Sequence, residues 1–443
     1  MQARRLHRQI GWVAAFVAIA WAVTGFLHPV MNWTAPRAAI QMPPARPLAL
    51  PPGGLAAPGE ALAAAGLAAS PHVRLVQVGG EPYWFAADPA SARRAVVSAV
   101  TGVPSPEAEA AHAEALARHY AALPDTAIAS VRPVDAFSTN YPSINRLLPV
   151  WAVQFDTPDG LTLYVDTGMD RLAAVTNGPR RVLLAVFQNV HTLSFLSFAE
   201  PLRVAVLAFL ILTVVATTFI GAALLLKARG KGLRRAHTLA AWLALPIILA
   251  YTLSGLFHLV MTNDLNPRGL PVPDAFPLAA LDLPALDTPV LNSLIATAGP
   301  DGAPLWRIET VSGIRYAGQP EPHDDAARAR TLAGASAEAP VSLINRFGDG
   351  YSFADKRLPV MRVEAADGPV FVDVREGVIA AIPRLSAAGR AETWCFNNLH
   401  KWEFLKPVGT KNRDIATMLA TVLILLTAAL GLALQLRRRR SVQ

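Results

Sequence analysis

Four stretches of the chain carry no Asp, Glu, Lys or Arg: roughly Ile10 to Met31, Val204 to Leu226, Ala236 to Met261 and Ile415 to Leu436. An α-helix rising about 1.5 Å per residue needs about 20 apolar residues to cross a bilayer, and each stretch meets that length. Between them the period changes. "PHVRLVQVGGEPYWFAAD" (Pro71 to Asp88) alternates around Gly79-Gly80 and predicts a hairpin, whereas "PEAEAAHAEALARHYAAL" (Pro106 to Leu123) has helical spacing. "RLLPVWAV" (Arg146 to Val153), "LYVDTG" (Leu163 to Gly168), "KRLPVMRV" (Lys356 to Val363) and "VFVDVREG" (Val370 to Gly377) predict short strands. The Pro- and Ala-rich stretches 35–60 and 264–290 predict irregular linkers.

The expected fold is an integral membrane α-helical protein with two α+β outer domains. Its divisions are helix 1–31, outer domain 32–200, helix 201–227, loop 228–235, helix 236–262, outer domain 263–412, helix 413–436 and a basic tail 437–443. Composition agrees, since 53% of the 443 residues are hydrophobic and 16% charged, with mean hydropathy +0.34. The net charge of +8 does not point to nucleic acid, because twelve of the 40 basic residues fall in three clusters beside the apolar runs. Arg4, Arg5 and Arg8, then Lys227, Arg229, Lys231, Arg234 and Arg235, then Arg437 to Arg440, set both termini on the cytoplasmic side. The outer segments are then expected in the periplasm of a bacterial inner membrane, and the first run is expected to be a retained anchor. Cys395 is the sole cysteine, so no disulfide framework or thiolate cluster exists, and it reads as a small apolar residue.

The chain repeats itself. At an offset of 230, His7 matches His237, Trp12 matches Trp242, Gly25 matches Gly255, His28 matches His258, and Val30-Met31 matches Val260-Met261. "FQNVHTLSFL" (Phe187 to Leu196) and "FNNLHKWEFL" (Phe396 to Leu405) close the two outer segments with Phe, Asn, His, Phe and Leu at the same spacing.

Topology gathers His28, His191, His258 and His400 at the outer face and His7 and His237 at the cytoplasmic face. A neutral imidazole is a strong axial ligand for haem iron, and helix bundles build cofactor sites from facing helices. A b-type haem needs no C-x-x-C-H attachment motif. The competing reading is that a histidine near a helix end snorkels or caps; the pairing of positions between repeats favours ligation. Histidines 21 residues apart on one helix are separated by about 31 Å, so His7 and His28 serve different faces. Two outer haems on four histidines, or an inner haem between His7 and His237, are both compatible. Arg180, Arg181 and Arg390 are candidates to pair propionates or an anionic chelate, with a solvated interfacial role as the alternative. His112 and His119, seven residues apart on one helix, are expected at a partly exposed surface, and His72 and His323, in Pro-flanked polar stretches, are given no role.

"LHRQIGW", the "LPVW…LYVDTG" pattern and "NVHTLSF" resemble the PepSY-associated transmembrane family, and the duplicated four-helix form is similar to its FoxB-like inner-membrane ferric-siderophore reductases. The resemblance covers most of the chain. It implies periplasmic PepSY-like domains, two haem b groups, and the six histidines His7, His28, His191, His237, His258 and His400 as cofactor residues. Thr238, where the first repeat has Arg8, and "HKWEF" depart from the family pattern. The implied activity is reduction of a ferric siderophore or other ferric chelate with release of Fe(II). No G-x-G-x-x-G fingerprint is present, so the expected donor is quinol or a separate protein. A membrane-anchored PepSY module that binds or regulates proteases, or senses a signal, is the alternative.

Overall fold

The structure, a computed structural model, describes residues 2–45, 47–88, 93–226, 231–262, 273–318, 322–348, 350–381 and 387–440. Lys227, Arg229 and part of the expected 264–290 linker lie outside the described residues, as do the side chains of Arg438 to Arg440.

Apart from the helix Pro58–Ala64, in whose place the second half has a 3-10 turn (Leu278–Ala280), one order of elements occurs twice. The first half runs α1 (Gln2–Trp33), β1 (Leu48–Ala49), α2 (Pro58–Ala64), β2 (Ala69–Ser70), β3 (His72–Val78), β4 (Glu81–Asp88), β5 (Arg93–Ser98), α3 (Glu107–Ala121), β6 (Ile128–Val134), β7 (Val150–Phe155), β8 (Thr162–Asp166), β9 (Arg171–Thr176), α4 (Gly178–Val186) and α5 (Glu200–Leu225). The second half runs α6 (Leu233–Thr262), β10 (Phe276–Pro277), β11 (Val290–Leu291), β12 (Ser293–Ala298), β13 (Pro304–Thr310), β14 (Gly313–Ala317), α7 (Asp325–Ala333), β15 (Val341–Ile344), β16 (Val360–Ala365), β17 (Gly368–Asp373), β18 (Val378–Ala381), α8 (Ala387–Cys395) and α9 (Thr410–Arg440).

These elements sort into a helical unit (Met1–Ala35, Gly178–Arg268, Leu385–Gln443) and a strand-rich unit (Pro36–Asn177, Gly269–Arg384). The expected domain limits are corrected here. Residues 178–200 and 385–412 belong with the helices, because α4 packs on α1 and α8 on α6.

In the helical unit α1 packs on α5 and α9, and α6 packs on the same two helices. Four helices among the described residues are long and apolar enough to cross a membrane: Gln2–Trp33, Ser194–Leu225, Leu233–Thr262 and Thr410–Arg437. Their seams use small residues. Ala14, Ala15 and Ala22 of α1 are buried, and a Cβ on Gly25 would stand 3.2 Å from Thr421 Cγ2 of α9. Large apolar side chains such as Phe16, Phe209, Leu243 and Leu419 are instead more than half exposed. In water that arrangement would be costly; in lipid it is the expected one, since tails are as apolar as leucine and packing alone selects the seam. The chain is thus a membrane protein.

The strand-rich unit also departs from expectation. The two outer segments do not form two separate domains, because they share a six-stranded antiparallel sheet in the order β14-β13-β12-β3-β4-β5. The seam pairs Ile295 with Arg74 and Ala296 with Val73. Two short pairings, Leu48 with Leu291 and Phe276 with Ser70, also cross between halves. A shared core explains the exchange: Trp84 and Trp306, one from each half, bring their rings to 6.0 Å, and Leu62, Phe276 and Leu294 close around them fully buried. Each half then adds its own four-stranded sheet, β6-β7-β8-β9 and β15-β16-β17-β18, covered by α3 and α7 respectively. The hairpin at Gly79-Gly80, the helix over 107–121 and the four short strands match the sequence pattern. The stretches 35–60 and 273–290 are less irregular than expected, since they contribute β1, α2, β10 and part of β11.

Two other expectations are corrected in this unit. His112 is buried, not at a surface, and its Nε2 lies 2.6 Å from Asp170 Oδ1, which also receives Arg74 Nη2 at 2.6 Å. His119 is half-buried against the Met42 carbonyl at 2.9 Å. The helical period is the reason, since His112 lies on the same face as the buried Ala113, Leu116 and Tyr120. His72 opens β3 and is buried, with neither ring nitrogen hydrogen-bonded among the described residues. Arg171 ties Asp166 at 2.6 Å to Glu376 at 3.0 Å, joining the two four-stranded sheets through a buried ion pair.

Candidate functional site

The six histidines singled out from the repeat all lie in the helical unit, and all but His28 are tied down through Nδ1. At one end, His7 Nδ1 of α1 lies 3.2 Å from the Thr217 carbonyl of α5, and His237 Nδ1 of α6 lies 3.1 Å from the Thr427 carbonyl of α9. A carbonyl only accepts, so each Nδ1 carries the hydrogen and each Nε2 keeps its lone pair. The ring positions depend on glycine. A Cβ at Gly221 would stand 3.1 Å from His7 Cε1, and one at Gly431 would stand 3.1 Å from His237 Cε1.

At the other end, each short helix α4 and α8 passes into a π-helical turn, Phe187–His191 and Phe396–His400. Such widened turns are frequent at functional sites. Here the turn stacks a phenyl ring on the histidine four residues later, Phe187 on His191 at 4.6 Å and Phe396 on His400 at 4.9 Å. The same rings meet the long helices, with His28 at 5.3 Å from Phe187 and His258 at 3.6 Å from Phe396. Each half therefore forms one His–Phe–His cluster.

Hydroxyls on α1 and α6 orient the turn histidines. Thr24 Oγ1 donates to the Ala20 carbonyl at 3.0 Å, which leaves its oxygen to accept from His191 Nδ1 at 2.9 Å. Ser254 Oγ likewise donates to the Ala250 carbonyl at 2.5 Å and stands 3.3 Å from His400 Nδ1, which also meets the Tyr251 carbonyl at 3.2 Å. His258 Nδ1 lies 2.6 Å from Glu392 Oε1, a carboxylate, so it too carries the hydrogen. His28 has only a 3.4 Å approach to Asn32. Nε2 of the other five is thus an unprotonated acceptor with no hydrogen bond among the described residues.

Burial pushes His191 down to about 3 and His400 down to about 4; His400 and His28 add to the shift at His191, while His258, Lys401 and His28 add to that at His400 against the opposing Tyr251 carbonyl. Both are neutral at physiological pH, the form that ligates iron. Among the described residues no group of three or more His, Cys, Asp or Glu is arranged for a metal ion. The donor set fits a planar group taking one or two axial imidazoles better than a bare cation, which needs about four ligands or more. Gly255, whose added Cβ would stand 3.5 Å from His400 Cε1, is a further close approach at this end. Arg180 and Arg181 lie on α4 and Arg390 on α8.

Comparison with protein-family models, curated proteins and solved structures finds no match for this chain.

Five contributors were missed in the sequence. Thr24 and Ser254 precede the repeated glycines Gly25 and Gly255 in a common T/S-G-x-x-H pattern, and a hydroxyl search at the 230 offset finds them. Gly221 and Gly431 each follow a threonine by four residues, Thr217 and Thr427, and this pair of motifs repeats at an offset of 210 rather than 230. Glu392 gives no repeat signal, because Leu183 occupies the matching place in the first half.

Proposed function

We propose that this protein is a haem b oxidoreductase of the bacterial inner membrane that passes electrons to a periplasmic ferric chelate, in the manner of a ferric-siderophore reductase. The observation that carries the reading is the repeated Nδ1 anchoring of His7, His191, His237, His258 and His400, which presents an unprotonated Nε2 at each. Hydrogen bonds of this kind, made by the ring nitrogen that does not face the metal, accompany metal-bound histidine as a rule, fixing tautomer and orientation.

Haem, when bound, supplies one-electron exchange between its ferric and ferrous states. The chain's own residues do the rest. Thr24, Ser254, Glu392 and the two helical carbonyls orient the imidazoles, while the apolar helices exclude water around them. One electron converts chelated Fe(III) to Fe(II), which the chelator holds less tightly. Quinol or a separate protein supplies the electrons, two per quinol oxidised with release of two protons. The basic clusters favour cytoplasmic termini, and so a periplasmic strand-rich unit.

The test is a reduced-minus-oxidised visible spectrum of the full chain purified in mild detergent after expression with haem supplied. Soret and α-band changes are expected, with haem content falling in His28→Ala and His258→Ala. A spectrum without those bands would overturn the reading and leave the PepSY-type binding module.

A further inference from the structure

The two His–Phe–His clusters are alike in sequence but unequal in charge. In the second half, Glu392 of α8 places Oε1 at 2.6 Å from His258 Nδ1, with the carboxylate side chain only 6% exposed. In the first half the matching residue, 209 positions earlier, is Leu183 of α4, and it lines an apolar recess with Leu27, His28, Met31 and Phe187. His28 Nδ1 there has only the 3.4 Å approach to Asn32.

A carboxylate accepting from Nδ1–H pushes electron density toward Nε2. That strengthens donation to a ligated metal and stabilises its more oxidised state. A leucine in the same place gives no such push. The low-dielectric surroundings enlarge the difference, since the Glu392 charge is screened little by water. Its other oxygen receives the Thr393 hydroxyl at 3.3 Å, and the Lys401 ammonium, drawn over the Phe396 ring at 4.7 Å, is a cation that partly offsets it.

We infer that Glu392 is a positioning residue that makes the second-half site, through His258, the lower-potential of the two and hence the stronger reductant. The electron then leaves toward the ferric chelate from the His258 side, and the His28 side holds it at higher potential. This rests on the haem reading above.

The experiment is an optical redox titration of the full-length holoprotein in detergent, with haem content measured beside it, for the parent, Glu392→Leu, Glu392→Asp and Leu183→Glu. The parent should titrate in two steps. Glu392→Leu should weaken the preference of the lower step for ferric over ferrous iron about tenfold, a rise of about 59 mV for a one-electron couple, while Glu392→Asp stays near the parent. Leu183→Glu should lower the upper step and narrow the gap. Unchanged midpoints in Glu392→Leu with haem retained would overturn the inference and leave the haem reading intact. If Glu392→Leu loses its haem, Leu183→Glu decides, and an unmoved upper step sinks the proposal. A parent protein without haem bands overturns both.

Discussion

His191 Nδ1 lies 2.9 Å from the Thr24 hydroxyl, a bond between residues 167 positions apart that fixes the π-helical turn against α1. Because the hydroxyl hydrogen already points to the Ala20 carbonyl, the bond runs in one direction only. Thr24→Val keeps the shape and removes the acceptor. It should lower haem retention about 10- to 100-fold, the usual cost of losing such a partner, whereas Thr24→Ser should retain it. Haem-to-protein ratios after dilution check this, and equal retention in both variants would remove Thr24 from the site.

Gly221 and Gly431 are expected to be intolerant of a methyl group. An added Cβ would approach His7 or His237 at 3.1 Å, so the ring must give way slightly while its Nδ1 is held by the Thr217 or Thr427 carbonyl. Gly221→Ala and Gly431→Ala should alter any spectral component that depends on His7 and His237, and His7→Ala should alter the same component. An exposed glycine such as Gly53, with nothing within 4 Å of its added Cβ, serves as control.

His72 should make the strand-rich unit acid-sensitive. Burial lowers its proton affinity below the ordinary imidazole value, with Glu376 and Asp166 opposing and Arg171 and Arg74 reinforcing the shift. Below about pH 6.5 the unfolded chain takes up a proton that the folded one refuses. Stability is therefore complete above that pH and falls as pH drops, by at most about 1.4 kcal/mol per unit for one group. Thermal unfolding of the full chain at pH 7.5 and 5.5 should show a smaller difference in His72→Leu than in the parent.

His112→Ala should separate stability from cofactor binding. It removes one partner of buried Asp170 and leaves Arg74 in place, a loss of about 1–3 kcal/mol. Unfolding should move to lower temperature while the visible spectrum stays unchanged; a loss of haem would place His112 among the cofactor residues after all.

The long helices were legible because lipid-length apolar runs have few alternative readings, and the hairpin at Gly79-Gly80 because turn glycines and alternation agree. The shared sheet was not. Nothing local distinguishes a β3 that pairs with β12 from one that ends a separate domain, since partner choice is set by the distant Trp84–Trp306 core. His112 was misplaced because histidine composition suggested a surface that the face shared with Leu116 and Tyr120 contradicts. Glu392 escaped because a search for likeness between halves is blind to a residue whose importance lies in having no twin.

The antiparallel seam between β3 and β12 joins the first long strand of one half to its equivalent in the other, and β1–β11 and β2–β10 exchange strands in both directions. Equivalent strands meeting antiparallel is the self-complementary geometry by which two copies of a shorter chain pair about a twofold axis. A half-length chain would present Val73 and its neighbours as an open edge whose natural mate is another copy of itself. The single polypeptide thus has the pairing geometry of a twofold dimer while its halves are free to differ, one carrying a glutamate where the other carries a leucine.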